Sequence, residues 1–265
     1  MPKFAANLGF LFADVPFPAR FARAAAAGFS AVETLFPYDY AACDIAQWLR
    51  AANLELVLFN LAPGDWAGGE RGLACLPDRR SEFAESVEQA LDYALALGCR
   101  RLHCLSGLRP AADEALLEET YIANLRYAAD RLASIGATLM IEPINSRIDM
   151  PGYWLDDVDK AFRLQKAIGR SNLEVQYDIY HAVVMGDDPL RRLADHIVRI
   201  GHVQIADSPG RHEPGSGKID FPALFELLER LGYSGWVGCE YRPTGLTENG
   251  LGWLPASARR RLPAA

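Results

Sequence analysis

The segment SEFAESVEQALDYALALGCRRLHCL, residues 81–105, contains the unit from which the fold can be inferred. Its apolar side chains recur at spacings of three and four residues, as on one face of a helix: Phe83, Val87, Ala90, Leu91 and Ala94. Gly98 follows where a C-terminal cap is expected, and RRLHCL (100–105) then resembles a short buried strand. This order predicts a helix that leads directly into a strand.

The same unit recurs along the whole chain. We predict strands, from short apolar or β-branched runs, at 4–8, 30–35, 54–60, 100–105, 137–142, 172–178, 199–205 and 235–241. We predict helices, from longer periodic segments, at 16–27, 40–52, 79–98, 112–135, 156–169, 187–197 and 221–231. Asp156 and Asp220 lie where helix N-caps are expected. Strands that alternate with helices indicate a parallel sheet.

Eight strand–helix units in 265 residues predict a single-domain (β/α)8 TIM barrel over residues 1–265. An open doubly wound sheet is the alternative, but no G-x-G-x-x-G follows the first strand, which disfavours a dinucleotide-binding version. Segment 60–78, NLAPGDWAGGERGLACLPD, is rich in glycine and proline and predicts an active-site lid loop. We expect residues 256–265 to form a flexible, solvated tail.

The composition is that of an acidic globular protein. Half of the residues are hydrophobic, and the net charge of −7 provides no positive field for nucleic acid or an anionic membrane. No run reaches the roughly 18 apolar residues that span a bilayer, and no signal-peptide pattern is found. Five cysteines without a C-x-x-C pair favour free thiols in a reducing compartment. We therefore expect a cytoplasmic protein, and a homo-oligomer is left open.

Oxygen-bearing side chains end four consecutive predicted strands: Glu142, Asp178, Gln204 and Glu240. Their separations of 36, 26 and 36 residues each correspond to about one βα unit, so a barrel brings them to one rim. Three carboxylates at one place repel one another, and a divalent cation offsets that repulsion. Because the ligands are hard oxygens, we predict Mg²⁺ or Mn²⁺. The alternative for each residue alone is a helix cap or a surface ion pair.

Two histidines are candidates for substrate binding or for support of the metal site. His181 lies three residues after Asp178. His202 lies two residues before Gln204, so both side chains point to the same face of the seventh strand. We interpret His103, on the fourth strand, as a packed core residue.

Further candidates lie in loops at the predicted catalytic face. Arg211, in the loop after the seventh strand, or Arg71, in the lid segment, could bind a substrate carboxylate through two hydrogen bonds. The lid segment also offers Asn60, Trp66 and Glu70 as substrate-binding residues. Solvent exposure without a function is the alternative for each of them.

A series of long motifs in this order resembles the hydroxypyruvate isomerase family of xylose-isomerase-like barrels. The motifs are FPYDY (36–40), GDWAGGERG (64–72), NLRYAA (124–129), IEPIN (141–145), QYDIYH (176–181), GHVQIAD (201–207), EPGSGKID (213–220) and WVGCEY (236–241). The resemblance extends from about residue 3 to about residue 255. The motifs also resemble those of the closely related 2-oxo-tetronate isomerases.

The resemblance implies a reaction and a set of roles. The reaction interconverts hydroxypyruvate and tartronate semialdehyde (2-hydroxy-3-oxopropanoate), so the substrate is a short hydroxy-keto acid, through a metal-stabilised enediolate. The family's metal ligands match Glu142, Asp178, Gln204 and Glu240, and its proton donor and acceptor match Glu142 and Glu240. Phe59 departs from the family, in which this strand often carries His. A hydride shift between carbons is the competing mechanism.

Three readings from other classes are alternatives. A ketose 3-epimerase on the same barrel uses a similar carboxylate pair but takes longer, uncharged sugars. A barrel phosphodiesterase that acts on damaged DNA uses several zinc ions and many histidines, and the five histidines and acidic charge of this chain disfavour it. A non-enzymatic, metal-dependent binding protein is the third, and no motif favours it.

Overall fold

Eight parallel strands close into one barrel in the computed structural model, which describes residues 2–255, 258 and 259. The strands follow chain order around the barrel, and the pairing of the first with the eighth closes it. They are β1 (Lys3–Asn7), β2 (Ala31–Glu33), β3 (Glu55–Asn60), β4 (Arg101–His103), β5 (Thr138–Ile141), β6 (Leu173–Asp178), β7 (Ile200–Ile205) and β8 (Trp236–Cys239). The predicted (β/α)8 barrel is confirmed, and the open sheet is excluded.

Eight α-helices surround the barrel in the described part of the chain. They are α1 (Phe17–Ala26), α2 (Ala42–Ala52), α3 (Arg80–Leu97), α4 (Glu114–Ala133), α5 (Val158–Ile168), α6 (Ile179–Met185), α7 (Pro189–His196) and α8 (Phe221–Arg230). Seven of them match the predicted segments. The short helix α6 was not predicted, because it begins directly after β6 with no intervening loop. Asp178 both ends β6 and caps α6, accepting the backbone N–H of His181 at 3.0 Å.

One of the two predicted N-caps is confirmed and the other is wrong. Asp220 caps α8, as expected. Asp157, rather than Asp156, caps α5, because its carboxylate accepts the backbone N–H of Lys160 at 2.6 Å. Asp156 instead accepts a hydrogen bond from the Ser146 hydroxyl.

The barrel interior has an apolar layer beneath a polar one. Alternate residues of a strand point to the same side, so residues two apart along each strand occupy successive interior layers. A buried apolar group fills the layer nearer the amino-terminal ends of the strands: Ala5, Ala31, Met140 and Trp236. Two residues further along the same strands come Asn7, Glu33, Glu142 and Gly238. Polar side chains therefore lie at the carboxyl-terminal ends of the strands, and the apolar layer lies beneath them.

Other expectations concern the loops and the cysteines. The predicted lid segment 60–78 begins at the last residue of β3, is joined to the loop after β4 by a bridge between Gly72 and Ser106, and runs into a 3₁₀ turn at Pro77–Arg79. All five cysteines are free, as predicted. The predicted tail at 256–265 lies outside the described residues except for 258 and 259. In the described chain no helix combines the length and apolar character needed to span a membrane.

Candidate active site

A cavity of about 220 Å³ opens at the carboxyl-terminal ends of the strands. Its polar wall is formed by Asn60, Arg71, His103, Glu142, Asp149, Gln176, His181, Arg211, Glu240 and Arg242. Its apolar wall is formed by Phe10, Leu35, Phe36, Trp66, Leu105, Ile144 and Met150. The cavity has the size for a small molecule and presents both acidic and basic groups to it.

Glu142, Asp178 and His181 form a cluster, of which Glu142 and His181 line this cavity. Glu142 follows β5 directly, Asp178 ends β6, and His181 lies in the first turn of α6. The His181 Nε2 atom lies 4.0 Å from Glu142 Oε1 and 4.0 Å from Asp178 Oδ2. Both oxygens are buried, and neither has a hydrogen-bond partner among the described residues. Two orphaned carboxylate oxygens beside an imidazole nitrogen fit a divalent cation, which would supply the missing partner.

Gln204 and Glu240 join this cluster through a chain of hydrogen bonds. The Gln176 side-chain amide donates to Glu142 Oε2 at 2.8 Å and to Gln204 Oε1 at 2.6 Å. Gln204 Nε2 in turn donates to Glu240 Oε2 at 2.7 Å. Glu142, Gln204 and Glu240 are therefore linked by hydrogen bonds, and Asp178 lies beside Gln204 in the register of β6 and β7. Glu142 and Asp178 each have a free oxygen there, whereas the oxygens of Gln204 and Glu240 accept hydrogen bonds within the protein.

Arg211 is buried beside Glu240 and is already paired. Its Nη2 donates to Glu240 Oε1 at 2.5 Å, and its Nη1 donates to Asp149 Oδ1 at 2.8 Å. Asp207 holds the surrounding loop, since its carboxylate accepts the backbone N–H groups of Gly215 and Gly217 at 2.8 Å each. Arg211 thus lines the cavity, as the sequence predicted, but its charge is directed to two carboxylates of the protein.

Arg71 has no carboxylate partner among the described residues. Its guanidinium stacks on the Trp66 ring, 4.1 Å from the centroid, and its Nη1 donates to the carbonyls of Trp66 and Glu70 at 3.1 and 2.7 Å. The Glu70 side chain turns away from the cavity, where it pairs with Arg79 at 2.5 Å and accepts the Asp65 N–H at 2.6 Å. Of these lid residues, Trp66 and Arg71 line the cavity and Glu70 does not.

Of two further histidines, His103 lines the cavity and His202 does not. His202 does not line the cavity, because it is fully buried beneath it, with Nε2 2.7 Å from Glu33 Oε2. His103 is buried, as predicted, but it is not simply packing: it lines the cavity with Nε2 3.5 Å from Glu142 Oε2. Its Nδ1 lies 3.2 Å from Asn60 Oδ1, which orients both side chains.

The polar residues at or beneath the cavity that were absent from the sequence-based site candidates include Glu33, His103 and Gln176. Each lies on the interior face of its strand at the carboxyl-terminal end, so strict alternation would have selected them. The alternation also explains Phe59. Its ring is fully buried and lies outside the cavity wall, whereas the next residue, Asn60, lines the cavity.

Burial controls the ionisation of this site. Burial raises the pKa of Glu142 well above its usual value, and the charges of Glu240 and Asp178 raise it further. Burial also raises the pKa of Glu240 to about 8, although Arg211 opposes that shift. Burial lowers the pKa of His103 to about 3 and that of His181 to about 4. At neutral pH both imidazoles are therefore uncharged, and the raised pKa values of Glu142 and Glu240 favour their protonated forms unless a cation offsets the repulsion.

Residues 21–257 match the family model described as "Xylose isomerase-like TIM barrel". The chain belongs to this family. It is 50% identical to the 2-oxo-tetronate isomerase of Cupriavidus necator over 96% of this chain and 98% of that protein. It is 45% identical to the hydroxypyruvate isomerase of Escherichia coli over the same shares of the two chains. The predicted family and the predicted isomerase class are confirmed, and the chain is an isomerase of this barrel family.

Solved structures agree with the fold. The structure titled AP endonuclease, family 2, from Brucella melitensis is 51% identical, covers 98% of this chain and 100% of its own, and superimposes with a TM-score of 0.95. A 3-keto-D-glucoside 4-epimerase from E. coli, 21% identical over 96% of this chain and 98% of its own, has a TM-score of 0.78. That likeness shows a shared barrel.

The pKa shifts predict how the metal-free protein responds to pH. Glu240 has a pKa of about 8 in the folded state and about 4.3 when unfolded. Between these values the folded state holds a proton that the unfolded state has released, so rising pH lowers the free energy of unfolding. His103 and His181 act oppositely, but only below their unfolded pKa of about 6.5. We expect the Tm of chelator-treated protein to fall between about pH 6.5 and 8.

Glu240→Gln should reduce that slope, because glutamine does not titrate. Glu118→Gln is the matched control, since Glu118 pairs with Arg163 on the outer surface and should leave the slope unchanged. The measurement is the thermal unfolding midpoint as a function of pH in the presence of chelator. If the slope of Tm against pH is the same in wild type and in Glu240→Gln, Glu240 is not the group whose titration lowers the stability.

Proposed function

We propose that this isomerase interconverts hydroxypyruvate and tartronate semialdehyde through an enediolate, with Glu142 and Glu240 transferring the protons. The observation that carries the proposal is that two buried glutamates, one directly after β5 and the other directly after β8, line the same small cavity. Two carboxyl groups on different sides of a bound substrate can remove a proton from one carbon and return one to the next. The name of the E. coli relative, hydroxypyruvate isomerase, supports the choice of substrate.

We propose Glu142, Asp178, Gln204 and Glu240 as ligands of a divalent cation, Mg²⁺ or Mn²⁺. The free oxygens of Glu142 and Asp178 support this site, and the predominance of oxygen donors favours a hard cation. Gln204 and Glu240 would have to exchange their hydrogen bonds with Gln176 and Arg211 in order to ligate. When bound, the cation would supply positive charge that stabilises the developing enediolate.

The proton transfers follow from the two glutamates and the groups beside them. One glutamate removes a proton from C3, which carries the hydroxyl group, and the other delivers a proton to C2. The hydroxyl proton on O3 is lost while O2 gains one, so the carbonyl moves by one carbon. The raised pKa values suit both roles, because a carboxyl group whose pKa lies above its usual value accepts a proton more readily and can return it. Arg211 contacts Glu240 Oε1 and orients this carboxyl group.

Substrate binding is assigned to the residues around the proton-transfer site. We propose that Arg71, held on Trp66, binds the substrate carboxylate with the guanidinium edge that has no partner in the described structure. Asn60, His181 and Arg211 would contact the polar oxygens of the substrate from the cavity wall. Segment 60–78, which carries Trp66 and Arg71, would act as the lid.

Turnover of 2-oxo-tetronate is the second candidate function. It is favoured by the 50% identity to the C. necator enzyme of that name, and it requires the same proton transfers on a four-carbon acid. An uncharged ketose would leave Arg71 without an anionic partner, which disfavours 3-epimerisation. A multi-zinc phosphodiesterase is disfavoured because the residues that the structure describes contain one candidate metal cluster, with a single histidine. A cytoplasmic location and a homo-oligomer stay predictions.

Turnover of a substrate panel tests the proposal. Purified, metal-replete protein is offered hydroxypyruvate, 2-oxo-tetronate, fructose and tagatose side by side, and we expect turnover of a keto acid. Glu142→Gln and Glu240→Gln should each lower kcat by about 10²-fold or more, since each removes a proton-transfer group. Glu118→Gln serves as the surface control. Near-normal turnover in either active-site variant, or turnover of the ketoses alone, would contradict the proposal.

Isotope exchange distinguishes proton transfer from a hydride shift. During proton transfer the carbon-bound hydrogen resides on a glutamate that can exchange with solvent, so reaction in D₂O should place deuterium on the product carbon. The measurement is NMR or mass spectrometry of product collected at early turnover. Product without label would favour the hydride shift and would remove the need for Glu142 and Glu240 as a proton-transfer pair.

Removal of the Arg71 guanidinium should affect acidic substrates selectively. Arg71→Ala should raise KM for the keto acid about tenfold or more, because hydrogen bonds to charged groups contribute about 1.5–3 kcal/mol. Arg109→Ala is the matched control, since Arg109 is exposed and pairs with Glu114 outside the cavity. Steady-state kinetics of both variants provide the measurement. An unchanged KM in Arg71→Ala would show that another cation binds the carboxylate.

A further inference from the structure

We propose that Glu33 is a positioning residue: it orients the side-chain amide of Gln204 so that its oxygen faces the cation site. The inference rests on the metal site of the proposed function. Glu33 is the last residue of β2, and its side chain is fully buried in the barrel, outside the cavity wall. It therefore touches neither solvent nor substrate, and it acts through its neighbours.

Three side chains form hydrogen bonds with the Glu33 carboxylate. Oε1 accepts from Gln204 Nε2 at 2.7 Å and from Asn7 Nδ2 at 3.0 Å. Oε2 lies 2.7 Å from His202 Nε2. Asn7 Nδ2 also donates to Glu240 Oε2 at 2.9 Å. Both oxygens are thus engaged from different directions, and the carboxylate cannot rotate without the loss of a buried hydrogen bond.

A glycine on β8 makes room for this buried carboxylate. Gly238 lies beside Gln204 in the register of β7 and β8, and a Cβ atom at position 238 would overlap both carboxylate oxygens of Glu33. The backbone conformation does not require glycine here, because Gly238 does not have a positive φ. The space at this position of β8 is therefore occupied by the Glu33 side chain.

The chemistry of the two side chains determines the orientation of the Gln204 amide. Glu33 Oε1 accepts hydrogen bonds in this structure, so it selects the NH₂ end of the neighbouring Gln204 amide. The two Nε2 hydrogens of Gln204 go to Glu33 Oε1 and Glu240 Oε2, each at 2.7 Å. Gln204 Oε1 consequently faces Gln176 and the side of Glu142.

Glu33 becomes decisive when a cation binds. If Glu240 turns its Oε2 toward the cation, Gln204 loses one of its two acceptors. Glu33 is then the acceptor that keeps the NH₂ group directed away from the cation and the amide oxygen directed toward it. In the reverse orientation the amide would direct its N–H groups at the cation, and N–H groups cannot act as metal ligands.

Metal affinity measured without substrate tests the proposal. Chelator-treated wild type, Glu33→Gln and Glu174→Gln are titrated with Mn²⁺ by calorimetry or by EPR of free Mn²⁺. Glu174 is the control because it is a half-buried glutamate of β6 that lies four residues before Asp178, towards the amino-terminal end of the barrel. We expect Glu33→Gln to weaken Mn²⁺ binding about 10- to 100-fold, as for other residues that orient a ligand. Glu174→Gln should bind as wild type does.

A second background separates orientation from a general structural effect. In Gln204→Glu the ligand is a carboxylate whose two oxygens are equivalent, so no orientation remains to be fixed. We therefore expect Glu33→Gln to cause no weakening of Mn²⁺ binding in that background. The thermal midpoint of metal-free Glu33→Gln reports the stability of the fold. If that variant does not fold, Gly238→Ala displaces the carboxylate by one methyl group and should weaken Mn²⁺ binding similarly.

Each result has a defined meaning. Mn²⁺ affinity within twofold of wild type in Glu33→Gln, or the same weakening in the Gln204→Glu background, overturns the role of Glu33 while the metal site stands. Wild-type protein that binds no Mn²⁺ overturns both this role and the metal-dependent function. The proposal is supported if Glu33→Gln weakens Mn²⁺ binding when residue 204 is glutamine and does not weaken it in the Gln204→Glu background.

Discussion

Repulsion among buried carboxylates is the interaction on which the rest of the site depends. Glu33, Glu142, Asp178 and Glu240 are each at most 7% exposed and lie in one layer of the barrel interior. Arg211 is the buried guanidinium beside them, and it contacts Glu240 directly. Burial and mutual repulsion both disfavour ionisation, which is why the pKa values of Glu142 and Glu240 are raised. Additional positive charge would therefore stabilise the site, and the proposed divalent cation would supply it.

The barrel distributes these carboxylates over several strands and places neutral residues beside them. Parallel pairing places Asp178 beside Gln204, and Gln204 beside Gly238, so the residues that pair next to Asp178 on β7 and β8 carry no charge. The amides of Gln204 and Gln176 separate the carboxylates and donate hydrogen bonds to them. The apolar layer below excludes water and keeps these hydrogen bonds in a medium of low polarity, where they are stronger.

The sequence was sufficient for the fold and for part of the site. Strand ends could be predicted because period-two alternation and spacing by βα units are local properties, and they placed Glu142, Asp178, Gln204 and Glu240 in one layer. Glu33 was not predicted, because β2 is only three residues long and its polar end did not stand out from the longer predicted run at 30–35. Loop side chains such as Glu70 have no periodicity, so their direction depends on partners that are distant in the sequence.

The charge balance of the site points to a bound proton. Arg211 divides its positive charge between Glu240 and Asp149, so it offsets only part of the negative charge of the buried carboxyl groups, and the proposed divalent cation would offset more of it. His103 and His181 cannot offset the remainder at neutral pH, because burial lowers their pKa values to about 3 and 4. The raised pKa values of Glu142 and Glu240 favour retention of a proton in this layer. A site that holds one proton between Glu142 and Glu240 already contains the donor and the acceptor that an isomerisation requires, so the same electrostatics would serve both cation binding and proton transfer.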